Sequence, residues 1–223
     1  MLFSNPQIAA YINENFEPTW QSVRPVPTVQ IDFGNGNVIK RTLHGNIATY
    51  ACSSDGKVLD VLPGLYKPKT YLDALKQFRL LAQFTTRNGK VDQSRLLQYH
   101  SLTATALSKD NEPGRFQDGK EIAFVCLPRK FNREAVDGDV DPKDCTIKSA
   151  EAVANWATLT RETLYNETHK RLQIHRKLLQ AGSVQPQQIT SWLYRDVLHA
   201  DIDDPLLGLG PTLTATYPFR SGQ

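Results

Sequence analysis

The chain has 223 residues, of which 40% are apolar and 22% are charged, as is typical of a folded globular protein. The formal net charge of +3 argues against nucleic-acid binding, because the basic residues are interspersed with acidic ones. No apolar run approaches the roughly 18 residues that cross a bilayer. The N-terminus also lacks the basic start and apolar stretch of a secretory signal, so we expect a cytoplasmic protein without a membrane partner.

The N-terminal residues predict a short helix and then an extended segment. Asn5 suits the N-cap of this helix and Pro6 suits its first turn. Residues 16–23 follow as the extended segment, with Phe16 and Trp20 as its apolar anchors.

Two β-hairpins are predicted next. Apolar and polar residues alternate over 29–33, and a Gly-Asn-Gly-Asn turn leads into a return strand over 38–43. The second hairpin pairs 47–52 with 57–61 around a Ser-Asp-Gly turn, and Leu62-Pro63-Gly64 is predicted to break its second strand.

Helices dominate the remaining predicted elements. Apolar residues at helical spacing mark one helix from Tyr71 to Ala82, and Asp92 is placed to cap another. Residues 149–181 form a helical pattern longer than a usual globular helix, so we expect it either to break once or to project as one arm of a hairpin. Gln187 to His199 supplies a further helix. Within the long pattern, the basic residues around His169 and His175 predict a solvent-exposed face.

The segment between these helices differs in composition. Residues 109–148 are rich in Pro, Gly and Asp, with one strand-like island at 122–127. The sequence thus predicts an α/β protein with three segments, namely 1–86, a helix and loop-rich excursion over 87–148, and a mainly helical region over 149–223.

Two stretches of the first segment resemble thioredoxin-like proteins. Residues 11–20, Tyr-Ile-Asn-Glu-Asn-Phe-Glu-Pro-Thr-Trp, resemble the stretch after the active-site helix in bacterial thioredoxin-related proteins and selenoprotein N. Residues 49–60 resemble their paired strands around an Asp-Gly-Lys turn, Gly64 matches the Gly that follows, and 71–82 corresponds to the final helix. The resemblance covers about a third of the chain. It implies a partial thioredoxin-like sheet with flanking helices that lacks its first strand.

Two departures from that family decide the expected function. Thioredoxin chemistry needs a Cys-x-x-Cys pair at the start of the first helix, where the thiol pKa is lowered. No cysteine precedes Cys52, and the family's cis-Pro has no counterpart in Gly45-Asn46-Ile47. Either the chain is a redox-degenerate relative that retains the scaffold for binding, or the dithiol lies upstream of the sequence given.

We therefore expect a non-catalytic thioredoxin-fold protein that needs no cofactor and acts by binding or assembly. Its binding residues would be Trp20, Tyr50 and His44. A protein partner, a second copy, or the 122–127 island would complete the sheet. The alternative is a thiol–disulfide oxidoreductase that uses Cys52 or an upstream dithiol, although a buried structural cysteine is the favoured interpretation of Cys52. The three cysteines are odd in number and widely spaced, which indicates unpaired thiols, namely Cys52, Cys126 and Cys145.

Two acidic clusters have some features of metal sites. The alternating aspartates of 137–144 resemble the start of a calcium loop, but Pro142 and Lys148 stand where Gly and a bidentate Glu are needed. A His and three carboxylates at a helix end could ligate a divalent metal, namely His199, Asp201, Asp203 and Asp204. The competing interpretation is that these residues form a turn into Pro205.

Overall fold

The computed structural model describes residues 2–42, 47–108 and 150–210. The helices are α1 (Pro6–Asn15), α2 (Pro68–Thr85), α3 (Gln93–Ser108), α4 (Ala150–Tyr165), α5 (Arg171–Ala181) and α6 (Pro186–Trp192). Two π-helical segments, Asn166–Lys170 and Leu193–Val197, follow α4 and α6. The strands are β1 (Thr28–Asp32), β2 (Val38–Thr42), β3 (Ala48–Cys52), β4 (Val58–Pro63), β5 (Thr86–Arg87) and β6 (Lys90–Val91). The mixed α/β class is therefore confirmed.

Contacts divide the chain into two compact units. The larger unit contains residues 1–19 and 47–188, and the smaller unit contains residues 20–46 and 189–223. This division differs from the three segments expected from the sequence. Elements from all three segments pack together in the larger unit, where α5 contacts both α3 and β4.

The described strands form three separate two-stranded antiparallel sheets. β1 pairs with β2 as predicted, and β3 pairs with β4 with a bulge between Ala51 and Cys52. β4 ends within the predicted Leu62-Pro63-Gly64 break, but it extends two residues beyond the predicted strand, to Pro63, which lies opposite Ala48. The strand ends at Gly64, whose φ of 78° is unfavourable for other residues.

The helix boundaries follow their predicted signals. The Asn5 side chain accepts hydrogen bonds from Gln7 N and Ile8 N, and Pro6 begins α1. Asp92 Oδ1 accepts from Arg95 N at 3.2 Å at the start of α3. Beyond the end of α2 at Thr85, Asn88 and Gly89 both have positive φ and form the turn between β5 and β6. Sequence analysis missed that short hairpin.

The long C-terminal helical pattern continues without a break from Ala150 to Ala181, so the predicted break is wrong. α4 passes through the π-helical segment 166–170 into α5, which ends at Gly182 with a φ of 69°. The predicted solvent face on this stretch is wrong in part. Lys170, Arg171 and His175 are buried, whereas His169 is exposed.

The core of the larger unit lies among β3, β4, α2 and α3, with Ile8 of α1 buried against it. Tyr71, Leu75 and Phe78 of α2 are buried there, as the helical spacing predicts. Phe16 packs against this core as expected, but Trp20, the other predicted anchor, is 87% exposed. That second prediction is wrong. No helix in the described ranges is both long and apolar enough to cross a membrane.

Candidate functional site

A buried ion pair joins β4 to α5 in the larger unit. Asp60 of β4 is fully buried, and its Oδ2 accepts hydrogen bonds from Tyr99 OH at 2.6 Å and Arg171 Nη2 at 2.8 Å. Its Oδ1 accepts from Val61 N at 2.7 Å, and Arg171 Nη1 donates to the Val61 carbonyl at 3.1 Å. The carboxylate is thus surrounded by donors, as a buried charge requires.

Two histidines extend this network, and the fixed role of arginine assigns their protons. Arg171 can only donate, so His175 Nε2, 3.3 Å from Arg171 Nη2, is the acceptor. His175 Nδ1 then carries its proton and donates to His100 Nδ1 at 2.9 Å. Neutral His100 therefore carries its own proton on Nε2. That buried atom has no hydrogen-bond partner among the described residues.

The buried surroundings and the neighbouring groups shift the pKa values of Asp60, Arg171 and His100. Burial would raise the pKa of Asp60, but Arg171, the two histidines and the Tyr99 hydroxyl outweigh it and hold that pKa well below its usual range. Burial would lower the pKa of Arg171, but Asp60 and Glu167 raise it well above its ordinary value. Burial lowers the pKa of His100 to about 4, opposed by Asp60 and aided by Arg171.

All five members of this network, which we name the buried charge network, are at most 5% exposed. They are Asp60, Tyr99, His100, Arg171 and His175. Because a substrate could not reach these atoms without a rearrangement, the arrangement is suited to fixing β4 against α3 and α5. Sequence analysis missed it, although Glu167, Arg171 and His175 follow one another at helical i, i+4 spacing.

A second set of polar contacts holds the turn after β4. Leu65 N donates to Glu162 Oε1 at 3.3 Å, and Asn166 Nδ2 donates to the Leu65 carbonyl at 2.9 Å. Lys67 N donates to Thr163 Oγ1 at 3.0 Å, while its Nζ lies 4.8 Å from the Trp156 ring centroid. A Cβ at Gly64 would come within 2.9 Å of both Asn166 Nδ2 and Glu162 Oε1, so the turn requires glycine.

Cys52 ends β3 and is exposed, so the favoured interpretation of a buried structural cysteine is wrong. Although the residue as a whole is exposed, desolvation of the sulfur raises the pKa of the Cys52 thiol. A raised pKa reduces the thiolate fraction near neutral pH, which is the opposite of what a nucleophilic cysteine needs.

The predicted binding residues lie in different parts of the chain. Tyr50 is half-buried in β3 opposite Val61 of β4, in the larger unit. Trp20 belongs to the smaller unit and is largely exposed. The structure therefore does not place these two on one element. His44 lies outside the described residues, as do Cys126, Cys145, the 122–127 island and the aspartate loop at 137–144.

The aspartates near His199 make local turn contacts. Asp201 Oδ1 accepts from Asp203 N at 3.1 Å, and Asp204 Oδ1 accepts from Leu206 N at 2.6 Å. His199 has a φ of 54°. In residues 2–42, 47–108 and 150–210, no three His, Cys, Asp or Glu side chains are grouped so that they could hold a metal ion. The local turn contacts give no support to a metal site at His199 and these aspartates, which remains a prediction.

The smaller unit carries a concentration of exposed apolar side chains. Seven of the eleven large apolar residues found exposed in the described ranges lie between residues 20 and 39. We name them the exposed apolar set: Trp20, Val23, Val26, Ile31, Phe33, Val38 and Ile39. Ile31 and Ile39 lie directly opposite each other on β1 and β2, so they project from the same face of this hairpin.

No protein-family model, curated protein or solved structure matches this chain.

Proposed function

We propose that this chain is a protein-binding module that acts through the exposed apolar set of its smaller unit. The observation that carries the proposal is the clustering of these side chains within 20 residues of sequence, Trp20 among them at 87% exposure. Isolated exposed apolar residues are common on proteins, but a concentration of them marks an interaction surface. Tryptophan and phenylalanine are also enriched at the centres of protein interfaces.

The scaffold we propose for part of the larger unit is the thioredoxin-like segment that the sequence resembles. The order of the β3–β4 hairpin and helix α2 supports it, because this is the order that the resemblance implies. The oxidoreductase alternative uses Cys52 or an upstream dithiol, and the raised pKa of the Cys52 thiol argues against its first form. We therefore propose binding rather than electron transfer.

The test compares two double variants that remove equal numbers of exposed large apolar side chains. Ile31→Ser with Phe33→Ser alters the exposed apolar set, whereas Leu65→Ser with Leu206→Ser alters exposed residues outside it. Each tagged full-length protein is purified from the cells that make it, and the proteins that accompany it are quantified. We expect a stoichiometric partner that is lost with the first variant and retained with the second. A partner retained by both would contradict the proposal.

A further inference from the structure

Strand β1 has one edge without a strand partner among the residues that the structure describes. Just beyond the last β1–β2 pair, Phe33 N donates to the Asn37 carbonyl at 3.1 Å. Hydrogen-bonded and non-hydrogen-bonded pairs alternate along an antiparallel ladder. Counting back from this bond, the pairs at Ile31 and Val29 are hydrogen-bonded. The backbone N–H and C=O groups that point away from β2 therefore belong to Thr28, Gln30 and Asp32.

The two edges of this hairpin differ in charge. β2 carries Lys40 and Arg41, and lysine on an edge strand discourages pairing with another chain. β1 carries a single charge, Asp32, at its last position. The β1 edge is therefore the one suited to accept another strand.

We propose that a second copy of this chain pairs its β1 with β1 of the first, antiparallel and about a two-fold axis through Gln30. This inference rests on the proposed binding function and specifies the partner. In this register Gln30 lies opposite Gln30, Val29 opposite Ile31, and Thr28 opposite Asp32 of the second copy. An apolar side chain thus lies opposite an apolar one, and a hydroxyl lies opposite a carboxylate. Both are favourable cross-strand combinations.

The backbone supports the same register. Pairs at 28, 30 and 32 must be hydrogen-bonded ones, and these are the residues whose backbone groups point outward. Pairing of β2 with β2 about Lys40 would instead set Lys40 against itself, which is unfavourable. Pairing of β1 with β2 would be heterologous: it leaves a free β1 edge on one copy and a free β2 edge on the other, so further copies could add and the assembly would not close into a dimer.

The dimer would contain a four-stranded sheet in the order β2–β1–β1–β2. Val29 and Ile31 alternate with polar residues along β1, and Ile39 lies opposite Ile31, so all three project from one face in each copy. That face would join apolar residues of both copies into a continuous strip. Five-residue edges make a small interface, below about 1,200 Å², so the association is weak and reversible.

The test uses two lysine substitutions, each at a β1 residue whose backbone groups point away from β2. Gln30→Lys places like charges opposite each other at the two-fold axis, whereas Thr28→Lys places lysine opposite Asp32 of the second copy. The full chain and both variants are studied by sedimentation equilibrium over a wide concentration range, with far-UV circular dichroism to verify folding. We expect Gln30→Lys to raise the dimer Kd about fivefold, the factor that about 1 kcal/mol of cross-strand repulsion produces. Thr28→Lys should leave Kd unchanged or lower it.

A wild-type chain that stays monomeric throughout, or equal weakening by both variants, would overturn the dimer. The binding proposal fails by a different result, namely retention of the co-purifying partner after Ile31→Ser with Phe33→Ser. A monomeric chain that binds a different protein through these residues would therefore refute only the self-pairing.

Discussion

The buried charge network predicts how stability depends on pH. The ordinary pKa of histidine is 6.5, and burial places that of His100 at about 4. Between these values the unfolded chain binds a proton that the folded protein does not. The free energy of unfolding therefore falls as the pH is lowered through this window, and the loss is complete below about pH 4. From pH 7.5 to pH 5 the expected loss from His100 is about 2 kcal/mol.

His100→Gln isolates this effect, because glutamine does not titrate and its amide oxygen can accept from His175 Nδ1. Urea unfolding, followed by circular dichroism at pH 7.5 and pH 5, should show a fall in the free energy of unfolding that is smaller by about 2 kcal/mol in this variant. His169→Gln, which replaces an exposed imidazole of the π-helical segment Asn166–Lys170, serves as the matched control for a histidine-to-glutamine exchange. If His100→Gln retains the full fall, the reasoning from burial is refuted.

Three further predictions test the ion pair of this network, the turn at Gly64 and the Cys52 thiol. Arg171→Met should lower the free energy of unfolding by about 3–5 kcal/mol, since it leaves Asp60 charged and unpaired in the core, and Asp60→Leu added to it should restore part of the loss in urea unfolding. No recovery in the double variant would contradict the ion-pair account. Gly64→Ala should destabilise by more than Gly56→Ala in the same assay, because both residues have positive φ but only Gly64 has neighbours within 4 Å of an added Cβ. Equal losses would show that the contacts with Asn166 and Glu162 are unimportant. Insulin reduction with dithiothreitol should stay at background for the wild type and for Cys52→Ser alike, because the raised pKa of this thiol disfavours the thiolate. Turnover that disappears in Cys52→Ser would instead support the oxidoreductase alternative.

Local signals in the sequence predict much of the fold. The Asn5 and Asp92 caps, the two main hairpins and the helix end at Gly182 each depend on residues close together in the chain. Capping, turn chemistry and apolar periodicity are local properties, so one sequence is enough to infer them.

Long-range pairing is what the sequence does not reveal. Arg171 and Asp60 are 111 residues apart, and neither residue alone indicates that the other would compensate its charge. A run of basic residues on a helix is usually solvated, so the burial of Arg171 and His175 could be inferred only from the packing of α5 against β4 and α3. For the same reason the tautomers of the two histidines follow from the structure alone.

The local sequence pattern also does not show which apolar side chains of the smaller unit are exposed to solvent. Large aromatic residues are usually buried, which favours an anchor role for Trp20, yet this residue is 87% exposed. An apolar side chain that the fold leaves in solvent looks, in sequence, the same as one that the core encloses. This distinction is the one on which the proposed function depends.

Site-specific photo-cross-linking tests the binding proposal most directly. A benzophenone amino acid placed at Phe33, and separately at Leu206, which is also exposed, is irradiated in cells that make the full-length protein. The binding proposal predicts an adduct of defined mass from position 33 and none of that mass from position 206. If position 33 yields no adduct beyond those formed at position 206, the exposed apolar set is not a binding surface.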